Sequence, residues 1–256
     1  MSVTPAEART RFRDGLATPT SGWCPGFAQT NLIAVPRGWA YDFLLFTQRN
    51  PQACPVLDVG DPGNPTTALA QDADVRTDLL GYRVWRDGRL VDEPTDVLAH
   101  WRDDLVTFHI GCSFTFETAL VEHGIPAAPR RAGPQRADVH HATGVPSRRA
   151  GERADGGVHA ARSRPTSSGR WCGSRPACRP CTARRCTWAN RSRYRSERST
   201  TPTSANRWSS PTATCPFWAG GVTAQAAVMA STVPFALTHA PGHMLITDVP
   251  DRAYRL

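Results

Sequence analysis

Apolar positions cluster toward the two ends of the chain and thin out between them. Residues 5–16 predict a helix with Thr4 as N-cap, and Glu7 at the third helical position completes a capping box. The stretch 18–26 predicts a loop. Residues 31–35 are a short apolar run of strand type broken by Pro36 and Gly38. Residues 40–48 then place Tyr41, Phe43, Leu44 and Phe46 at helical spacing, and Pro51 stops them. A buried strand is expected at 55–59, a Pro, Gly, Asn and Asp loop at 61–74, and a hairpin of 82–85 with 89–91 around Asp87-Gly88. Residues 96–101 are helix-like. The run LVTFHIGCSFTF at 105–116 is strand-like until Gly111, Cys112 and Ser113 interrupt it, and Glu117 opens a helix over 117–123.

The far end repeats this arrangement. Residues 216–219 are apolar, Gly220-Gly221 turns, and Thr223 is placed to cap an Ala-rich helix over 224–231. A strand follows at 234–238. The block THAPGHMLITD then gathers His239, His243 and Asp248 within ten positions, on what reads as a loop at a strand end.

Charge separates these flanks from the middle. The chain has 256 residues and a net charge of +8, and all 30 of its basic residues are Arg. Eighteen lie in residues 129–213 beside four acids, so that interval carries +14 and the remainder −6. The same interval has no Leu, Ile, Met or Phe. Such a stretch cannot bury enough surface to offset chain entropy, and low order is expected there. The basic charge is thus local, and with little aromatic interleaving it does not make a convincing nucleic-acid-binding segment. Cys172, Cys178, Cys181 and Cys186 offer one CxxC with two outliers and lack the paired CxxC of a zinc site.

No apolar run follows the first basic residues, so no secretory signal is expected, and a cytoplasmic location is the default. Residues 217–237 are uncharged but too small and polar for a membrane span. Cys24, Cys54 and Cys112 are then reduced thiols. Without a lysine, Schiff-base chemistry on lysine is excluded, and no phosphate-binding or dinucleotide fingerprint is present. No cofactor is expected.

Two chemical sites stand out. A strand, a small-residue turn at Cys112-Ser113 and a helix start form an anion site, because unpaired N–H groups and the helix dipole point outward. A buried structural thiol is the plainer account of Cys112. His239 and His243 are four apart, as in zinc helices, but Pro241-Gly242 between them breaks a helix. No metal is therefore expected. Two imidazoles and a carboxylate on a loop suit acid and base work near neutral pH, with hydrogen-bonded loop histidines as the bland alternative.

The flanks resemble the D-glutamate cyclase family, bacterial proteins named as hydro-lyases. The blocks that carry this are GFAQTNLIAVPRGWAYDFLLFTQRNPQACPVLDV from Gly26, DVRTDLLGYRVWRDGRLVDEPTDV from Asp74, WRDDLVTFHIGCSFTFE from Trp101, FWAGGVTAQAA from Phe217 and THAPGHMLITD from Thr238. Gly220 departs from the family, whose members often carry Cys there. The resemblance implies a two-part α/β fold, with residues 1–127 and 216–256 contributing to it. It also implies a lyase that removes water, of which closure of D-glutamate to 5-oxo-D-proline is the named reaction.

Family likeness disappears over 128–215, and codons give a reason. RADGGVHAAR from Arg153, read one base later in GC-rich codons, becomes Gly-Arg-Met-Val-Val-Ser-Met-Arg-Pro, a peptide of family type. Residues 128–215 are thus expected to be an out-of-frame translation bounded by compensating frameshifts, which also accounts for the Arg excess.

For the implied chemistry, His239 and His243 are the expected acid and base, with Asp248 orienting one imidazole. Glu117 is a second base, and Cys112 is a nucleophile the reaction does not require. Asn31, Arg49, Ser113, Gly220, Gly221 and Thr223 are the candidates for holding a D-glutamate-like amino acid or dicarboxylate. Homo-oligomerisation is compatible with the sequence. The rival accounts are a protein that binds such a ligand without turning it over, and an inactive frameshifted product.

Overall fold

The computed structural model describes residues 3–51, 53–112, 115, 139–146, 153–160, 187–188, 216–219, 221–231 and 233–254. Its centre is β1 (Phe27–Pro36), whose residues are buried from Ala28 onward. A strand with no solvent side needs neighbours on both edges and cover on both faces. Along one edge lies β5 (Leu105–Gly111), antiparallel, with Asn31 opposite Ile110 and Leu32 opposite His109. Two short strands from the far end of the chain share the other edge: β10 (Ala236–His239), with Ile33 opposite Thr238, and β11 (Leu245–Pro250), with Thr30 opposite Leu245. Outward from these, β2 (Val56–Val59) pairs with β5, β3 (Tyr82–Arg86) with β10 and β4 (Arg89–Asp92) with β3. The result is a seven-stranded sheet.

Alternation along β1 divides the core in two. Ile33 and Val35 face Phe108 and Ile110 of β5 under Phe43 and Phe46 of α2 (Arg37–Arg49) and Ala224 and Val228 of α3 (Gly221–Ala230). Leu32 and Ala34 face the other way, with Tyr82, Val84 and Leu237, and are covered by Val75, Leu79 and Val97 from the connecting loops. Helix α1 (Pro5–Arg13) packs Ala8 and Phe12 against Ile246 of β11. A second sheet has the order β6 (Val139–Pro146), β7 (Arg153–Ala160), β9 (Pro216–Ala219), β8 (Thr187–Trp188). Three of its strands thus fall within the Arg-rich interval, and the rest of that interval lies outside the described residues.

Helices and strands together make a mixed α/β fold, as the family resemblance implies. The Thr4–Glu7 capping box forms as expected, and the hairpin turns at Asp87 and Gly88, both at positive φ (49° and 73°) as a two-residue hairpin turn of this hand requires.

Boundaries differ where a distant partner decides them. The strand expected at 31–35 begins at Phe27, since β11 supplies an edge for residues 27–30. Helix α1 stops at Arg13, ahead of Gly15 at φ 94°. The helix-like stretch 96–101 reduces to one 3-10 turn, Leu98–His100. Helix α3 begins at Gly221, which puts Thr223 inside its first turn instead of at the cap. The uncharged interval 217–237 divides among β9, α3 and β10, and among the described residues no helix is long and apolar enough to cross a membrane.

Candidate functional site

Strand β10 ends at His239, and Ala240-Pro241-Gly242-His243 reverses the chain before β11. His243 N–H donates to Ala240 O at 3.0 Å, and Gly242 has φ 84°. Proline at the second and glycine at the third place make this a type II turn, which needs φ > 0 at its third residue. The turn is bound on two sides. Ala240 N–H donates to Gly81 O at 2.7 Å, while Thr20 donates to Gly242 O through its backbone N–H (2.8 Å) and its hydroxyl (3.1 Å). Thr20 Oγ1 also accepts from Met244 N–H at 3.2 Å.

The two imidazoles have different surroundings. His239 is 3% exposed. Its Nδ1–H donates to Leu32 O at 3.2 Å, because a carbonyl can only accept. Gln225 of α3 donates from Nε2 to His239 O at 2.9 Å, and that same Nε2 lies 3.4 Å from the ring Nε2. Burial pushes the His239 pKa down to about 4, so it is neutral at pH 7. His243 is only partly buried, and its Nδ1–H donates to Pro241 O at 3.2 Å, which leaves the lone pair on Nε2. Desolvation also lowers its pKa below the ordinary imidazole value. It is the imidazole of the two with access to a ligand.

Across the sheet, the end of β5 reaches the same neighbourhood through β1. Cys112 N–H donates to Gln29 O at 3.2 Å, and Thr115 N–H returns to Cys112 O at 3.2 Å. Gln29 N–H donates to Thr115 Oγ1 at 3.2 Å, and its side-chain Nε2 donates to Thr20 O at 3.0 Å and Trp23 O at 3.4 Å. Gln29 thus joins the Cys112–Thr115 turn to Thr20, and Thr20 holds the turn that carries His243.

The expected residues are only partly brought together. Hydrogen bonds tie His239 to Leu32 of β1 and to Gln225 of α3, Cys112 to Gln29 of β1, and, through Thr20, the turn of His243 to Gln29, while Gly221 and Thr223 stand in the first turn of α3 ahead of Gln225. Asp248 does not orient an imidazole: it lies within β11, where Arg9 takes both its oxygens at 2.9 and 3.1 Å and Gln71 N–H donates to Oδ2 at 2.7 Å. Arg9 is itself buried, so the pair locks α1 to β11. Asn31 donates both N–H groups of its amide to Ile110 O and Gly111 O, and so braces the end of β5 instead of presenting a donor to a ligand. Arg49 is exposed on the last turn of α2 and joins none of these contacts. Ser113, Glu117 and Gly220 lie outside the described residues. Among the described residues no group of three metal-ligating side chains forms.

Sequence reasoning missed Thr20, Gln29, Gly81, Arg83 and Gln225. Arg83, in register with Thr238, donates to Glu93 at 2.8 Å and adds a positive field at His239. None carries a motif, and it is the pairing of β10 with β1 and β3, and of β11 with β1, that brings them together.

The D-glutamate cyclase family model matches residues 200–248. A protein of Agrobacterium fabrum named "Putative hydro-lyase" is 49% identical over 97% of this chain and 93% of its own length. Proteins of the same name from Rhodococcus jostii (48% identical, over 100% of this chain and 98% of theirs) and Streptomyces coelicolor (48%, over 98% and 91%) are similar to the same degree.

Proposed function

This chain belongs to the D-glutamate cyclase family, and we propose that it is a lyase that releases water from an amino-acid substrate, closing D-glutamate to 5-oxo-D-proline. One observation carries the reading. His243 is a neutral imidazole whose Nδ1–H is fixed on Pro241 O, so that Nε2 can take a proton, and it stands on a rigid turn held by Gly81 and Thr20.

In the proposed reaction the α-ammonium gives a proton to His243 Nε2, and the amine attacks Cδ of its own side-chain carboxylate. A C–N bond forms. The C–O bond then breaks, and two of the three ammonium protons leave on the departing oxygen as water. His243 suits both the removal and the return of a proton, since its lowered pKa leaves the ring unprotonated and able to accept a proton at neutral pH. Backbone N–H groups at the N-terminus of α3 suit the negative charge that gathers on the carboxylate oxygens. His239, buried and neutral, is a positioning residue: it ties β10 to Leu32 and to Gln225.

The test is chiral chromatography of D-glutamate incubated with the protein. Wild-type protein is expected to form 5-oxo-D-proline, and His243→Asn to lower kcat by about 10²- to 10⁴-fold with little change in KM, the usual contribution of a positioned acid–base group. Absence of product with folded wild-type protein rules the cyclisation out, and full activity in His243→Asn removes His243 from the chemistry.

A further inference from the structure

Among the described residues, three buried side-chain polar atoms lack a hydrogen-bond partner: His109 Nε2, Thr107 Oγ1 and Gln29 Oε1. Thr107 and His109 share the loop-covered face of β5, away from the α3 side; the backbone carbonyl of Thr107 accepts from Gly60 N–H, and His109 Nδ1 lies 3.2 Å from Thr30 Oγ1. Gln29 is different, because it stands where the turn bearing His243 and the turn at Cys112 are joined.

The orientation of its amide is set by chemistry. Nε2 lies within hydrogen-bonding distance of the carbonyl oxygens of Thr20 and Trp23. Only a nitrogen can donate to two carbonyls, so the amide cannot be turned over, and the atom left is an acceptor. Gln29 is 4% exposed. A buried acceptor without a donor is costly, and such atoms in folded proteins call for an explanation. A ligand that brings N–H groups into the site is one.

We propose that Gln29 Oε1 accepts a hydrogen bond from the ammonium of the substrate, and so selects amine-bearing ligands over dicarboxylates of the same length. This rests on the amino-acid substrate proposed above and adds the group that reads its nitrogen. The geometry suits the order of events. An ammonium held by Gln29 has its acceptor on a residue that Thr20 links directly to the turn of His243 and that Thr115 links to the turn at Cys112. The nitrogen is then oriented before it gives up its proton, and only a substrate that carries one is aligned.

The experiment compares ligands that differ in the amine alone. Affinities of D-glutamate and glutarate are measured by calorimetry for the wild-type chain, Gln29→Met and Gln29→Glu. Wild-type protein is expected to favour D-glutamate by about 10- to 100-fold, the range for a hydrogen bond to a charged group. Both variants lose the Nε2 bonds to Thr20 O and Trp23 O, so glutarate affinity is expected to fall alike in the two, but Gln29→Met, which also removes the acceptor, is expected to abolish the preference for the amine, whereas Gln29→Glu, which keeps an acceptor oxygen, is expected to retain it. A role in holding the loop alone would weaken both ligands equally in both variants, and that result overturns the proposal, as does a wild-type protein that prefers neither ligand or binds neither. The two readings fail separately. Turnover of D-glutamate with an amine preference unchanged in Gln29→Met removes Gln29 and leaves the cyclase. A preference lost in Gln29→Met without turnover removes the cyclase and leaves the amine site.

Discussion

His239 and His243 lie four positions apart, yet their environments separate their roles. His239 and His109 are both buried neutral imidazoles with pKa values pushed down to about 4 by desolvation. In the unfolded chain each would take up a proton near pH 6.5. Between pH 6.5 and 4 the unfolded state therefore binds more protons than the folded one, and stability falls as pH falls through that window. Each buried ring is expected to contribute on the order of 3 kcal/mol to the loss by pH 4, from the pKa difference. Urea titrations at pH 7, 5.5 and 4 check this, and substitution of His109 by Gln should remove part of the slope. The histidine pair itself was legible in the sequence. What it is bound to was not: Asp248 looked like an orienting carboxylate because it is close in sequence, but alternation along β11 turns it toward Arg9, an ion pair that links residues 239 positions apart. Gln29 escaped notice for a related reason, since a polar residue ahead of an apolar run reads as loop until β11 is known to bury it.

At the scale of elements, the turn carrying His243 is held against the start of β3. Leu80, next to Gly81, has φ 54°, a conformation bulky residues rarely adopt, and it is buried against α1 and Ile246. That strained residue delivers Gly81 to the His243 ring: a Cβ at Gly81 would sit 2.8 Å from the ring Cγ and 3.1 Å from Nδ1. Gly81→Ala is accordingly expected to displace the imidazole and lower kcat by about 10- to 100-fold, as small misplacements of reacting groups do, while β3 stays paired with β10. Steady-state kinetics beside a thermal melt separates the two effects. Local signals gave the elements with local causes, among them the Thr4–Glu7 capping box, the Asp87-Gly88 hairpin and the reversal at Pro241-Gly242. They failed where tertiary partners set the limits: the first four residues of β1 and the start of α3, where a cap was read into Thr223.

For the whole molecule, the sequence divides by composition and the seven-stranded sheet does not. Its two halves come from residues 27–111 and 236–250, on either side of the Arg-rich interval. A frame lost in that interval and not regained would remove β10 and β11, and with them one whole edge of β1. Resequencing codons 120–220 is the direct check on the origin of the interval. A one-base slip is expected to convert it into an apolar, family-like peptide; a neighbouring frame that encodes no such peptide refutes that origin and leaves a genuine Arg-rich segment.

The pairing of β1 with the last strands also sets a timetable for synthesis. β1 emerges early from the ribosome, but β10 begins roughly 200 residues after β1 ends. At about 5–20 residues per second, one edge of the most buried strand stays without its neighbours for on the order of 10–40 s. During that interval the nascent chain offers a ready template for other strands, and its yield in the cell depends on what shields that edge until residues 236–250 arrive.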